Sequence, residues 1–208
     1  MNINYYKEDL PNDIMLRGVI AVDTEAMGLN LFRDRLCLVQ ISDAEQNVYC
    51  VHFANNSEYN CPNLKKVLKD ASILKIFHFA RFDISKLISA LQIEPRNIFC
   101  TKIASFLVRT YTSNHGLKDL CKELLGIKLD KEEQTSDWGA EILRPEQLDY
   151  AANDVIYLHA IKEKLELMLE REGRKELAHN CFEFLTTRVY LDLLGMETMD
   201  VFSHSLKK

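Results

Sequence analysis

The chain has 208 residues, of which 47% are hydrophobic and 27% charged, and it carries a net charge of −5 at neutral pH. Length and balance suit one folded domain with a substantial core and exclude a low-complexity or collagen-like chain. The acidic balance argues against holding a long duplex through many phosphate contacts, so a nucleic-acid partner would be short or gripped locally.

No apolar run is long enough to span a bilayer. The start, Met1 to Glu8, lacks the basic and apolar regions of a signal peptide, so a cytoplasmic protein without membrane attachment is expected. The six cysteines are scattered and form no Cys-x-x-Cys pair. They read as reduced core residues, not a disulfide frame or zinc site.

Ile3 to Tyr6 predicts a short leading strand, closed by the turn Asp9-Leu10-Pro11-Asn12. Val19 to Val22 is an apolar β-branched run that reads as a buried strand ending in Asp23-Thr24-Glu25. Strand side chains alternate, so Asp23 and Glu25 project from one side. Two such neighbouring anions suggest a divalent cation with oxygen ligands; a solvated acidic turn is the plain alternative. Leu36 to Ser42 and Asn47 to Phe53 predict two further strands joined by a hairpin turn, an antiparallel meander. The polar connection Gly28 to Arg35 carries Arg33 and Arg35 and is expected beside the carboxylates, where phosphates could approach.

Asn63 to Lys69 has helical spacing, Leu74 to Phe77 reads as a strand, and a helix follows through Ile84, Leu87, Ile88 and Leu91. Asp83 falls in its first turn, where an acid also serves simply as a cap. Ile98 to Thr101 predicts a strand, Lys102 to Arg109 a helix, and Leu117 to Leu125 another that Gly126 ends. Lys131 to Trp138 is polar and reads as a loop or short helix. Pro145 opens a helix expected to run to about Arg171, with Tyr150 and Asp154 four apart on one face. A last apolar helix spans Lys175 to Leu194, and Met199, Val201 and Phe202 in the tail suit docking on a neighbour better than a free terminus.

In chain order, Asp23-x-Glu25, Asp83 at a helix start and Tyr150-x-x-x-Asp154 resemble the three motifs of the DEDDy branch of DnaQ-like 3′-5′ exonucleases, the ribonuclease D family in particular. Ser136-Asp137-Trp138 and the run from Arg144 to Val155 resemble the ribonuclease D segment leading into its third motif. Ribonuclease D carries helical domains for which this chain has no room. The compact length, with Arg33 to Cys37, His78 to Asp83, Cys100 to Ser105 and Arg109 to Thr112, is most similar to the nano-RNase C branch, whose members degrade dinucleotides and assemble as octamers. Many ribonuclease D proteins have Asp-Thr where this chain has Cys100-Thr101, so one supporting acid is missing.

The resemblance implies an α/β, ribonuclease H-like (DnaQ-like) exonuclease fold, with a mixed central sheet flanked by helices. It implies a single domain over residues 1–208, with about 174–208 used in oligomer packing. The implied activity is metal-dependent 3′-5′ hydrolysis of dinucleotides and very short single-stranded RNA to nucleoside 5′-monophosphates. Two Mg²⁺ or Mn²⁺ ions per site would be held by Asp23, Glu25, Asp83 and Asp154, with Tyr150 orienting the attacking water. Leu29 matches the family's apolar wedge between terminal bases, or is a core leucine. His78 and Arg81 would reach a phosphate or sugar, or His78 is a satisfied strand-end histidine. Lys102, Arg109, Tyr111 and His115 would cap a 5′-phosphate, each weighed against an ordinary solvated role. Trimming of longer RNA, a DNA exonuclease and an inactive nucleic-acid-binding fold are the alternatives.

Overall fold

The computed structural model describes residues 1–129 and 135–204. Six strands form one sheet: β1 (Asn2–Lys7), β2 (Val19–Ala26), β3 (Leu36–Ser42), β4 (Asn47–His52), β5 (Leu74–Phe77) and β6 (Ile98–Cys100). Their order across the sheet is β1-β4-β3-β2-β5-β6. The pairs β2/β3 and β3/β4 are antiparallel, as the meander predicted, while β1/β4, β2/β5 and β5/β6 are parallel. The sheet is therefore mixed, and β2 lies near its middle with an antiparallel neighbour on one side and a parallel one on the other.

Burial follows from that placement. All seven residues of β3 are buried, because helices cover both faces of the central sheet. The helices are α1 (Pro62–Lys69), α2 (Ala80–Leu91), α3 (Thr101–Val108), α4 (Leu117–Leu120), α5 (Pro145–Ile156), α6 (Leu158–Arg171) and α7 (Lys175–Leu193). Among the described residues no helix is long and apolar enough to cross a membrane. All six cysteines are free thiols, five of them buried, as the scattered spacing suggested.

Two expectations need correction. The helix read from Pro145 to Arg171 is two helices, broken at Tyr157, whose φ of −88° and ψ of −11° open the turn. The cause is tertiary: α5 packs over β2, β3 and β4, whereas α6 turns to pack on α3, and one straight rod cannot follow both. The segment Leu117 to Leu125 is a single α-turn, α4, that widens into a π-turn over Cys121–Leu125. Gly126, at φ +73°, ends it as expected. The reading of Lys131 to Trp138 falls partly outside the described residues.

Two polar braces fix the elements that carry the acids. Arg81, in the first turn of α2, forms a two-pronged ion pair with buried Asp192 of α7, both contacts at 2.6 Å. Arg188 binds the same carboxylate at 2.6 Å and reaches the carbonyls of Met196 and Met199, so the chain beyond α7 folds back. At the start of α5, the Arg144 N–H donates to Gln147 Oε1 at 2.9 Å, while Gln147 Nε2 donates to Ser136 Oγ and to the Asp137 carbonyl. This ties the Ser136-Asp137-Trp138 segment to the helix bearing Tyr150 and Asp154.

Candidate active site

Strand β2 delivers Asp23 and Glu25 from one face and Thr24 from the other, as its two-residue period requires. From α5, Asp154 comes down on the Asp23 side, and one carboxylate oxygen from each of Asp23, Glu25 and Asp154 lies within 4.8 Å of the others. Asp83 reaches the strand end from α2, is buried, and accepts a hydrogen bond from Thr24 Oγ1 at 2.7 Å. All four acids line one cavity of about 690 Å³, with Tyr150 beside them. The four acids and the tyrosine of the three motifs that the resemblance matched are thus brought together, three acids tightly and Asp83 alongside.

Such a cluster cannot be fully ionised without a counter-charge. Two unit charges 4.8 Å apart repel by about 3.5 kcal/mol at an effective dielectric of about 20. Three such pairs would cost roughly 10 kcal/mol, the size of a whole domain's stability. Burial first, and then the charges of Asp83, Asp154 and Glu25, push Asp23 well above the usual carboxylate range. Glu25 is pushed well up by burial and by Asp154 and Asp83. Burial raises Asp83 to about 8, partly opposed by the Thr24 hydroxyl. Protons or a cation must sit here. Among the described residues the donor group is Asp23, Glu25 and Asp154, and an all-carboxylate set of this spacing suits a hard divalent cation better than zinc.

Tyr150 is held above its ordinary pKa by burial, by the charges of Asp154 and Glu25, and by a hydrogen bond with Asp154. It therefore keeps its proton at neutral pH. The Trp138 ring lies 6.1 Å from it, centroid to centroid, and closes that side of the cavity.

The other expected site residues divide into two sets. Leu29, 83% exposed, stands on the cavity rim, which overturns the core-leucine alternative. His78 also lines the cavity; its Nδ1 is 2.9 Å from Thr101 Oγ1, and burial together with the charge of Lys102 lowers its pKa to about 3, so it is neutral. Arg81, Lys102, Arg109, Tyr111 and His115 do not line the cavity. Arg81 is committed to Asp192. Fully buried Arg109 pairs with Glu123 and donates to Ser105 Oγ and the Asn114 carbonyl. The Tyr111 hydroxyl also donates to Glu123, and His115 bridges Ser105 Oγ and the Thr112 carbonyl. Lys102 places its ammonium 4.2 Å from the centre of the ring of Phe79, which lines the cavity.

The connection Gly28 to Arg35 reaches the cavity through Gly28 and Leu29, but neither Arg33 nor Arg35 lines it. Arg33 is ion-paired with Asp34 at 2.6 Å, and Arg35 is spent on the Phe53 carbonyl at 3.0 Å and Asn55 Oδ1 at 2.5 Å. Both hold the rim loop in shape. Gly28 is needed there, because a Cβ at that position would stand 2.4 Å from Asp34 Oδ2. Lys86 of α2 completes the brace by donating to the Asn30 and Asp34 carbonyls.

Three site neighbours escaped the sequence reading. Thr24 was seen only as a spacer between two acids. Phe79, half exposed on the cavity wall, adopts a left-handed φ of +64° just before α2, which only the backbone reveals. Gln40 donates to Asp23 Oδ2 at 2.6 Å; its signal was there to be read, as an amide inside the apolar run Leu36-Cys37-Leu38-Val39-Gln40-Ile41.

A mixed sheet with two acids on a central strand, joined by further acids from two flanking helices, defines a protein of the ribonuclease H-like exonuclease class. Residues 4–170 match the family model described as 3′-5′ exonuclease. The chain therefore belongs to the DnaQ-like 3′-5′ exonuclease family. Its similarity to Brucella melitensis NrnC is 50% identity, with a TM-score of 0.94, over 99% of this chain and 100% of that one. Structures of that Brucella protein with bound Mg²⁺ and with bound pGG superpose equally well, at a TM-score of 0.93. Ribonuclease D of Granulibacter bethesdensis is 32% identical over 157 residues, covering 74% of this chain and 38% of its own length. DNA polymerase I of Aquifex aeolicus is 38% identical over 148 residues, covering 71% and 24%. The chain thus spans only about a quarter to two-fifths of the length of these curated relatives.

Proposed function

We propose that this protein is a Mg²⁺- or Mn²⁺-dependent 3′-5′ exoribonuclease that degrades dinucleotides and very short RNA to nucleoside 5′-monophosphates. The observation that carries the reading is the cluster of Asp23, Glu25 and Asp154 oxygens within 4.8 Å, with Asp83 and Tyr150 lining the same cavity. The full-length likeness to a Brucella protein that binds pGG supports the preference for short RNA.

Asp23, Glu25 and Asp154 would hold two cations, with Asp83 contributing to the second. Bound there, the cations supply neutralisation of the phosphate, a water of lowered pKa and a stabilised leaving oxygen. Tyr150, protonated and hydrogen-bonded with Asp154, orients the attacking water. Thr101 Oγ1 donates to the Phe77 carbonyl, so neutral His78 donates its Nδ1–H to Thr101 and offers Nε2 as an acceptor to a sugar hydroxyl, and Leu29 presses between the terminal bases from the rim. Arg81 acts through α2, by keeping Asp83 at the strand end. Lys102 is the basic residue best placed to meet a 5′-phosphate.

The protein works as a homo-octamer in the cytoplasm on this reading. Support for assembly comes from exposed Leu177, Leu194 and Phe202 around α7 and the tail, with Phe202 packed 5.8 Å from the Phe184 ring. Light scattering tests the octamer. A time course with 5′-labelled RNAs of two, three, five and seven nucleotides in Mg²⁺, beside Asp154→Asn, tests the activity. Fast cleavage of the dinucleotide, with longer chains lagging, is expected. Equal or faster cleavage of the longest chain would move the protein to general RNA trimming, and no cleavage at all would leave a binding fold.

A further inference from the structure

Gln40 is fully buried at the centre of β3, a strand whose seven residues are all shielded from solvent. A leucine or methionine would fit such a position at less cost, since a buried amide must find partners for both its ends. Gln40 satisfies only one. Its Nε2 donates to Asp23 Oδ2 at 2.6 Å, whereas its Oε1 is buried without a hydrogen-bond partner among the described residues. In this orientation the orphaned Oε1 is the consequence of Nε2 serving Asp23.

The register explains how the contact is made. Asp23 and Gln40 are directly opposite in the antiparallel β2/β3 pair, with side chains leaving the sheet on the same face. Gln40 is also rigid, because its strand is paired on both sides, with β2 and with β4. A short hydrogen bond from a rigid donor fixes rotation of the carboxylate about its last side-chain bond. Partners of this kind, which orient a ligand without touching the ion, contribute strongly to metal sites.

We propose that Gln40 is a positioning residue for the metal site: it sets the orientation of the Asp23 carboxylate in which that group, with Glu25 and Asp154, accepts a divalent cation. The proposal rests on the metal-dependent reading above and extends it to a residue outside the acid motifs.

The test compares the full-length protein with Gln40→Met, which keeps length and apolar fit but removes the donor, and with Gln40→Asn, whose shorter amide falls short of Asp23. Mn²⁺ binding is followed by calorimetry and by electron paramagnetic resonance. Melting temperature is recorded without metal, and dinucleotide hydrolysis is measured as a function of Mg²⁺ concentration. Mn²⁺ affinity is expected to fall about 10- to 100-fold in both variants. The melting temperature of Gln40→Met should hold or rise, and hydrolysis should recover at saturating Mg²⁺. Unchanged Mn²⁺ affinity in either variant overturns the proposal. So does a collapse in the melting temperature of Gln40→Met, which would make the amide a support of the core. Failure of the unmodified protein to bind Mn²⁺ or cleave the dinucleotide is a separate result, and it would overturn the metal-dependent reading itself.

Discussion

Withdrawing metal should make stability fall as pH rises, and the acid cluster fixes the size of that effect. Burial and mutual repulsion raise Asp23, Glu25 and Asp83, Asp83 to about 8, whereas carboxylates in the unfolded chain titrate near pH 4. Between those limits the folded state holds protons that the unfolded state has lost. Each such proton lowers stability by about 1.4 kcal/mol for every unit of rising pH. His52, His78 and His159, lowered by burial, oppose this while the unfolded histidines titrate around pH 6.5, and Lys75, lowered by burial to about 8, opposes it again toward pH 8, where the cysteines raised by burial reinforce the fall. These contributions are common to chelator and Mg²⁺, so the acids are read from the difference between the two slopes from about pH 6.5 to about pH 8. One retained proton corresponds there to a loss of roughly 3–6 °C in melting temperature per pH unit for a domain of this size. Saturating Mg²⁺ displaces the protons and should flatten the slope, so its stabilisation grows with pH. Differential scanning fluorimetry in chelator and in Mg²⁺, with Asp83→Asn as a control of shallower slope, reads both. Equal slopes in chelator and in Mg²⁺ across this range would refute the reasoning.

Tyr150→Phe should leave Mn²⁺ affinity within a few-fold of the parent while lowering kcat by about 100-fold or more, because it removes only the hydroxyl that orients the water; calorimetry and single-turnover kinetics separate the two. Asp192→Ala should cost roughly 3 kcal/mol, since it strands Arg81 and half-buried Arg188 without their carboxylate, and thermal melting measures it. Arg109→Met should lower the melting temperature through loss of its contacts with Glu123, Ser105 and Asn114, with KM for a 5′-phosphorylated dinucleotide unchanged. A raised KM in a well-folded Arg109→Met would restore this residue to phosphate capping. Removing Phe202 by Phe202→Ser should weaken assembly at low protein concentration, read by light scattering, if the exposed face of α7 and the tail is an interface.

Much of the site was legible in the chain itself, because it is written in spacing. Asp23 and Glu25 share a strand face through the two-residue period, and Tyr150 and Asp154 share a helix face through the four-residue repeat. Those are local rules, and they hold whatever the rest of the chain does. Strands β2 to β5 were readable for the same reason: apolar β-branched runs closed by turn residues leave few other structures. What the arginines do could not be read this way. Arg33, Arg35, Arg81 and Arg109 look alike in sequence, and only packing decides whether a guanidinium faces solvent or an acid many residues away, as Arg81 faces Asp192. The break at Tyr157 was hidden too, because no proline or glycine marks it; it follows from α5 and α6 packing on different surfaces. Gln40 shows the division most sharply. Its oddity inside an apolar strand was visible, but its purpose depended on the β2/β3 register that sets it opposite Asp23, and register belongs to the assembled sheet.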